Sequence, residues 1–486
     1  MRRPSLAYIA LCVLVSCAPA ANLESSVRDL IASAGLGKAR IAVSVRSCTD
    51  LQELVAINDL SPMIPASNMK CFSTGVALVE LGPTFSFKTE LQLIGNDLVL
   101  VGDGDPTTAD PETFDQLIMR TPDGVIRDFD EEAILALWTA GAQQADITHI
   151  NGLRIDDRVF DREFVHPTWK KDQLNKTYSA EVAGINFHAN HMIFAPRAGS
   201  PRPSWNDHHP KAPWIIAAAT NKSTNASGSA GHAPWFAGKA GAAGFEFRGT
   251  VKRGTFAPVE VTLHDPPNFL AHVLSDRLAS AGIEVNYINR VADFESLPPG
   301  RVIGPIIATP IMGVIKRCNE ESQNLYAEAL LKRTIHAHTG RPGSWKDADE
   351  TMKTIIRKIL GSSAMQLLEG VEFIDGSGLS RENKINASLM TAWLSALANK
   401  NFGNAFVDSF AEGGKEGTLK NRFKTPLQNG AKVEAKSGYI NGVSCLSGYV
   451  TMKNGERLAF SVLINNASNI GKAKTLQERI VKAIAK

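Results

Sequence analysis

Leu23, Val27, Leu30, Ile31 and Ala34 fall on one helical face and Gly35 and Gly37 follow them, so the pattern predicts a helix over 22–34. Ile41, Val43 and Val45 alternate with other residues, which predicts a strand. At the other end, apolar runs at 445–452 and 458–465 flank Asn454-Gly455, a strong signal for a two-residue hairpin. Ala473, Leu476, Ile480, Val481 and Ile484 then mark an amphipathic helix with a basic opposite face. Both ends of the chain thus offer one apolar stripe to one sheet, and together they are expected to build a single domain. Between them, 97–101 reads as a strand, 131–142 as a helix and 147–155 as a second strand, a βαβ unit. The stretch 199–244 mixes Pro, Ser, Asn, Gly and Ala and is expected to be an extended loop region.

Candidate chemistry sits on this pattern at three places. Ser67 and Lys70 stand three residues apart, one helical turn, so a hydroxyl and an amine come within hydrogen-bond reach as nucleophile and base. Alone, such a spacing also fits an ordinary helix start after Pro65. Ser322-Gln323-Asn324 opens an apolar-periodic run through Leu325, Ala329 and Leu330. The same Ser-x-Asn spacing at Ser204 and Ser223 lies in coil, so position favours Ser322. Lys436-Ser437-Gly438 is the third element. For Lys70 to act as a base near pH 7 from a reference of about 10.4, burial and the charge of Lys436 must supply roughly 4 kcal/mol. That demands an enclosed site. Residues 71–321 between the first two elements are too many for one loop, so an insertion is required.

Composition adds bounds. A chain of 486 residues with 44% hydrophobic content suggests about three domains, and a net charge of +3 gives no reason to invoke nucleic acid. Arg2, Arg3, the apolar run from Leu6 to Val15 and Ala18-Pro19-Ala20 read as an export signal over 1–20. Leu14-Val15-Ser16-Cys17 also fits a site of lipidation at Cys17, and both readings stay open. No long apolar stretch follows, so no transmembrane segment is expected in the mature chain. Cys48, Cys71, Cys318 and Cys445 are scattered and are expected to be buried free thiols. His208-His209 lacks partners at ligand spacing, and Gly102-Asp103-Gly104-Asp105-Pro106 lacks the spacing of a nucleotide cradle. Surface histidines, a turn, and neither metal nor cofactor are expected.

Pro65 to Lys70, Leu81-Gly82-Pro83, the 102–106 turn, the run Asp156-Asp157-Arg158-Val159-Phe160-Asp161, the run Asp375 to Arg381, Lys436-Ser437-Gly438 and Gly442-Val443-Ser444 together resemble the class C low-molecular-mass penicillin-binding proteins, which are D-Ala-D-Ala carboxypeptidases and endopeptidases. The resemblance covers nearly the whole mature chain. Gln323 and Ser437 depart from the commoner residues there but keep the reacting groups. The resemblance implies an α+β fold: a serine β-lactamase/transpeptidase-like domain (21–83 and 300–486), an antiparallel sheet flanked by helices, interrupted by two nested insert domains (84–96 with 161–299, and 97–160). It implies that Ser322 relays a proton to the leaving amine and that Asn324 orients Lys70 and holds the substrate. Lys436 and Ser437 would bind its carboxylate, and the backbone N–H groups of Ser67 and Tyr439 would form an oxyanion hole. Arg381 would recognise a stem-peptide carboxylate or else pair with a surface acid. Asp157 and Phe160 would line a side-chain pocket or else form a structural turn. The expected function is hydrolysis of peptidoglycan stem peptides in the periplasm through a Ser67 acyl-enzyme, with β-lactams as covalent inhibitors. A serine β-lactamase and a non-catalytic cell-wall peptide-binding protein are the alternatives.

Overall fold

The computed structural model describes residues 18–114, 118–120, 126–128, 131–205, 207–238 and 244–486. The leader's charged and apolar parts and Cys17 lie outside these. Six antiparallel strands form the main sheet, in the order Ala411–Glu412, Lys432–Ile440, Val443–Thr451, Arg457–Asn465, Arg40–Ser47, Glu53–Ile57. The first strand of the chain lies against one of the last, with Val43 opposite Val462. The Asn454-Gly455 turn joins two strands whose register runs from Val443 opposite Asn465 to Thr451 opposite Arg457, so the hairpin is present but its loop is longer than the expected two residues.

Alternation along these strands feeds two cores. Val43, Val45, Phe460 and Val462 point to one face, where Val27, Leu476, Ile480 and Val481 of the terminal helices Ala18–Ala32 and Ile470–Ile484 cover them. Ala42, Ala459, Leu463 and Tyr449 point to the other, against Phe72 and Val76 of helix Lys70–Leu81 and Trp393 and Leu394 of helix Ala387–Ala398. Each valine, leucine, isoleucine or phenylalanine buried fully in this way contributes about 1.5–3 kcal/mol. Trp393 also donates its indole N–H to the Cys71 carbonyl at 3.0 Å, tying the two helices together behind Ser67. Burial on both faces explains why 445–452 and 458–465 read as apolar runs.

A second sheet carries the insertion. Its five strands run Glu284–Arg290, His149–Asp156, Asp97–Gly102, Ser86–Ile94, Arg301–Pro310. Asp97–Gly102 and His149–Asp156 are parallel neighbours joined through helix Glu131–Gln144, as the βαβ pattern predicts. The expected partition of the insert differs from this arrangement, because strands from 84–96, 97–160, 161–299 and the segment after 300 all share this one sheet. Periodicity identifies a strand but not the partner that takes its hydrogen bonds.

The stretch 199–244 also departs from expectation, since it carries helix Pro213–Ala218 and strand Ala233–Gly238. Phe236 stacks on Phe194 at 4.0 Å and on Phe247 at 4.5 Å, and this aromatic packing orders a segment whose composition reads as coil. His208 is buried rather than exposed, and His209 pairs with Glu131 at 2.8 Å. Among the described residues no cluster of His, Cys, Asp and Glu is arranged to hold a metal, and no helix is long and apolar enough to cross a membrane.

Candidate active site

Ser67 sits in a single turn of 3-10 helix, Ala66–Met69, that leads straight into helix Lys70–Leu81. Its preceding residue, Ala66, is fully buried with φ of +47°, a conformation unfavourable for a residue with a Cβ. Two glycines hold that turn. A Cβ on Gly378 would lie 1.9 Å from the Ala66 carbonyl, and one on Gly438 would lie 2.8 Å from the Pro65 carbonyl and 3.1 Å from the Ser67 nitrogen. The strand Lys432–Ile440 therefore approaches the Ser67 turn as closely as backbone permits, bringing it alongside the Ser67 N–H. Asn68 locks the approach by donating to the Lys436 carbonyl.

Lys70 is fully buried, and its Nζ lies 3.2 Å from Ser67 Oγ, 2.6 Å from Asn324 Oδ1 and 3.0 Å from the Ser377 carbonyl. A neutral amine has two N–H donors and one lone pair. The two carbonyl oxygens take the donors, which leaves the lone pair for the Ser67 hydroxyl. Desolvation pushes Lys70 below the ordinary lysine range, opposed by Cys318, Glu328 and Asp375. Lys436, also fully buried, is pushed down to about 7 by burial first and by the charge of Lys70 second. Repulsion between two buried amines is mutual, so each disfavours the charged form of the other. Lys436 Nζ donates to the Ser437 carbonyl at 2.9 Å, and Ser437 itself is half-buried.

Ser67 opens onto a cleft of about 570 Å³, and Lys70, Lys436 and Ser437 are not among its lining residues. Ser67, Ser322, Asn324, Arg381 and Tyr439 line it, so five of the expected site residues meet there. Ser322 stands in the short turn between helices Ile311–Glu320 and Asn324–Thr339 with φ of +65°, so it faces the cleft from outside the helix that its apolar run predicts. Arg381 donates to the Asn441 carbonyl at 2.9 Å on the rim.

Asp157 and Phe160 do not line this cleft, which corrects the pocket reading in favour of the structural turn. Asp157 is buried between Arg162 and Arg290, each at 3.0 Å, and Phe160 is buried against Gly104, where a Cβ would come within 2.2 Å of its ring. A buried carboxylate held by two guanidinium groups is a cross-link, not a recognition element.

The insertion reaches the cleft through other residues, Thr168, Lys170, Gln173 and Tyr178. Asn324 Nδ2 donates to the Tyr178 carbonyl at 2.7 Å, which fixes the amide so that its oxygen points at Lys70. Thr168 Oγ1 bonds Ser380 Oγ at 2.8 Å, and the Trp169 indole donates to Asp375 at 2.9 Å. No sequence signal marks this segment, because its contribution to Asn324 is a backbone carbonyl. The thiols of Cys71 and Cys318 are buried and pushed up to about 12, so neither competes with Ser67 as a nucleophile.

A family model described as the D-Ala-D-Ala carboxypeptidase 3 (S13) family matches residues 23–486. A D-alanyl-D-alanine carboxypeptidase of Actinomadura sp. (strain R39) is 25% identical over 471 residues, covering 92% of this chain and 81% of the relative. The D-alanyl-D-alanine carboxypeptidase DacB of Haemophilus influenzae is 27% identical over 208 residues, 41% of this chain and 40% of the relative. The crystal structure of penicillin binding protein 4 from Haemophilus influenzae superposes with a TM-score of 0.75 at 20% identity, covering 95% of this chain and 99% of that one, which shows a shared fold.

Proposed function

The chain belongs to the D-Ala-D-Ala carboxypeptidase 3 (S13) family, and from that premise we propose that it hydrolyses the terminal D-Ala-D-Ala bond of peptidoglycan stem peptides through an acyl-enzyme on Ser67. The observation that carries this reading is the contact set of Lys70: two oxygens on its N–H groups and the Ser67 hydroxyl on its lone pair. Lys70 takes the Ser67 proton as Oγ adds to the carbonyl of the penultimate residue. The resulting oxyanion lies between the N–H groups of Ser67 and Tyr439, where one donor is commonly worth about 3–4 kcal/mol. Ser322, across the cleft, passes the proton to the departing D-Ala amine, and water then cleaves the ester.

Lys436 and Ser437 receive the free carboxylate beside the scissile bond. Burial, with the neighbouring Lys70, pushes Lys436 down to about 7. An arriving carboxylate favours its charged form, so substrate itself completes the ion pair. A 3,4-cross-link presents a carboxylate in the same place, so the same pocket accommodates D,D-endopeptidase cleavage. A β-lactam also presents a carboxylate beside its reactive carbonyl; a Haemophilus influenzae relative of similar fold has been crystallised with one.

Amidating the substrate carboxylate is expected to lower cleavage at least about tenfold, since a charge-assisted hydrogen bond is lost. Ser437→Thr should be tolerated, whereas Ser437→Ala should slow the free-acid peptide and the cross-link in proportion. Equal rates on amidated and free-acid peptides, followed by chromatography of the shortened stem peptide, would remove the carboxylate pocket.

The leader pattern supports export to the periplasm, with cutting after Ala20 or lipidation at Cys17. Mass spectrometry of the N-terminus of protein made in its own cells should find one of these two forms, and an unprocessed cytoplasmic chain would contradict both.

A further inference from the structure

Helix Asn324–Thr339 turns two side chains toward Lys70 from consecutive turns. Asn324 touches the amine directly, and Glu328, four residues on and so on the same helical face, reaches it through the loop that follows Asp375. Glu328 is fully buried. Its Oε1 accepts the Ser377 N–H at 2.7 Å, and its Oε2 accepts the Gly376 N–H at 2.8 Å and the Trp345 indole N–H at 2.9 Å. The Ser377 carbonyl, on the residue so clamped, is the oxygen that accepts from Lys70 at 3.0 Å.

All three partners of Glu328 are donors. A carboxylate satisfies them, whereas a protonated acid would lose an acceptor site, and a glutamine would set an NH2 group against an N–H. We infer that Glu328, as a buried carboxylate, is a positioning residue for acylation: it fixes the Ser377 carbonyl on Lys70 and places a negative charge behind that amine. The inference rests on the reading of Ser67 as nucleophile and Lys70 as base.

The three donors hold the carboxylate form against burial and one neighbouring charge. Asp375 from the same loop repels Glu328, and that repulsion, after burial, pushes it up to about 7 against the pull of its donors. Lys332, one turn further along the helix, lies 3.7 Å over the Trp345 ring and 2.6 Å from Asp161, so its charge has its own partner. His166 packs edge-on against Trp345 and is held below the usual histidine range, chiefly by burial. Around Lys70 stand Lys436, Cys71, Cys318, Asp375 and Glu328, and Glu328 opposes the desolvation that would otherwise make the amine a feeble base.

The test is the pH dependence of acylation of the full chain by a fluorescent penicillin. Acylation rises as pH climbs through the pKa of Lys70, because the neutral amine is the base. Removing a negative charge lowers that pKa. Glu328→Gln is therefore expected to move the acid limb at least about half a pH unit lower and to cut the plateau rate about tenfold. Trp345→Phe keeps the carboxylate but removes one donor, which favours its neutral form and moves the limb the same way by less. A folded Glu328→Gln whose acid limb stays in place, whatever its plateau, overturns the inference. Should Glu328→Gln not fold, an unmoved limb in Trp345→Phe overturns it instead. Ser67→Ala separates the two levels: label retained there defeats the assignment of the nucleophile itself, while label lost there with an unmoved limb in Glu328→Gln defeats the role of Glu328 alone.

Discussion

Ser67→Ala is expected to abolish covalent labelling by penicillin and to lower D-Ala release by about 10⁴-fold or more, the scale on which loss of a nucleophile acts. The expectation is sharp because no substitute stands nearby. The thiols of Cys71, Cys318 and Cys445 are buried and pushed up to about 12, so they are neutral at working pH. Ser322 opens onto the same cleft, but the contacts of Lys70 run to Ser67, Asn324 and the Ser377 carbonyl. The substitution removes only a half-exposed hydroxyl, so stability should change by no more than about 1 kcal/mol. Intact-protein mass spectrometry after incubation with penicillin reads the result directly. A penicilloyl mass increment on the alanine variant would overturn the assignment.

What could be read from the chain and what could not divide along physical lines. The terminal helices, the Asn454-Gly455 hairpin and the strand around Val43 were legible because each is set by local period and turn chemistry, and their shared sheet follows from matching apolar stripes. Ser67, Lys70 and Lys436 could be singled out as candidates because their side chains are the kinds that such chemistry uses, and the structure places Lys70 Nζ 3.2 Å from Ser67 Oγ. Tyr178 was not, since it acts through a carbonyl that every residue possesses. Glu328 was hidden for a related reason: it sits within a helix whose apolar positions dominate the pattern, and only the return of residues 375–378 reveals what it holds. Asp157 and Phe160 invited a pocket by their setting in the run from Asp156 to Asp161, yet the partners that decide their role, Arg290 and Gly104, are far away in sequence. Sheet partners failed to show for the same reason, which is why the strands of the insertion were divided among units that the hydrogen bonding joins.

Lys70→Met should lower acylation by about 10²–10⁴-fold, the usual worth of a positioned base. It should do so without destabilising the protein, and the sign follows from burial. Lys70 is fully enclosed and its folded pKa is depressed, with desolvation as the largest cause. In the unfolded chain it titrates in the ordinary lysine range, near 10.4. Below that range the unfolded state binds a proton that the folded state resists, so wild-type stability rises with pH and falls as pH drops toward the folded pKa. Methionine has similar length, no charge and no such penalty. It forfeits the hydrogen bonds to Asn324 and Ser377, which offsets part of the gain. Chemical denaturation of wild type and variant should therefore show a stability difference that moves in favour of Lys70→Met as pH is lowered from about 10 toward neutrality. A lysine kept at a cost in stability is what a site selected for catalysis requires, whereas a lysine serving the fold would show the reverse. A difference that does not change with pH would mean that Lys70 stays charged in the folded protein, and its role as the base would fall with that result.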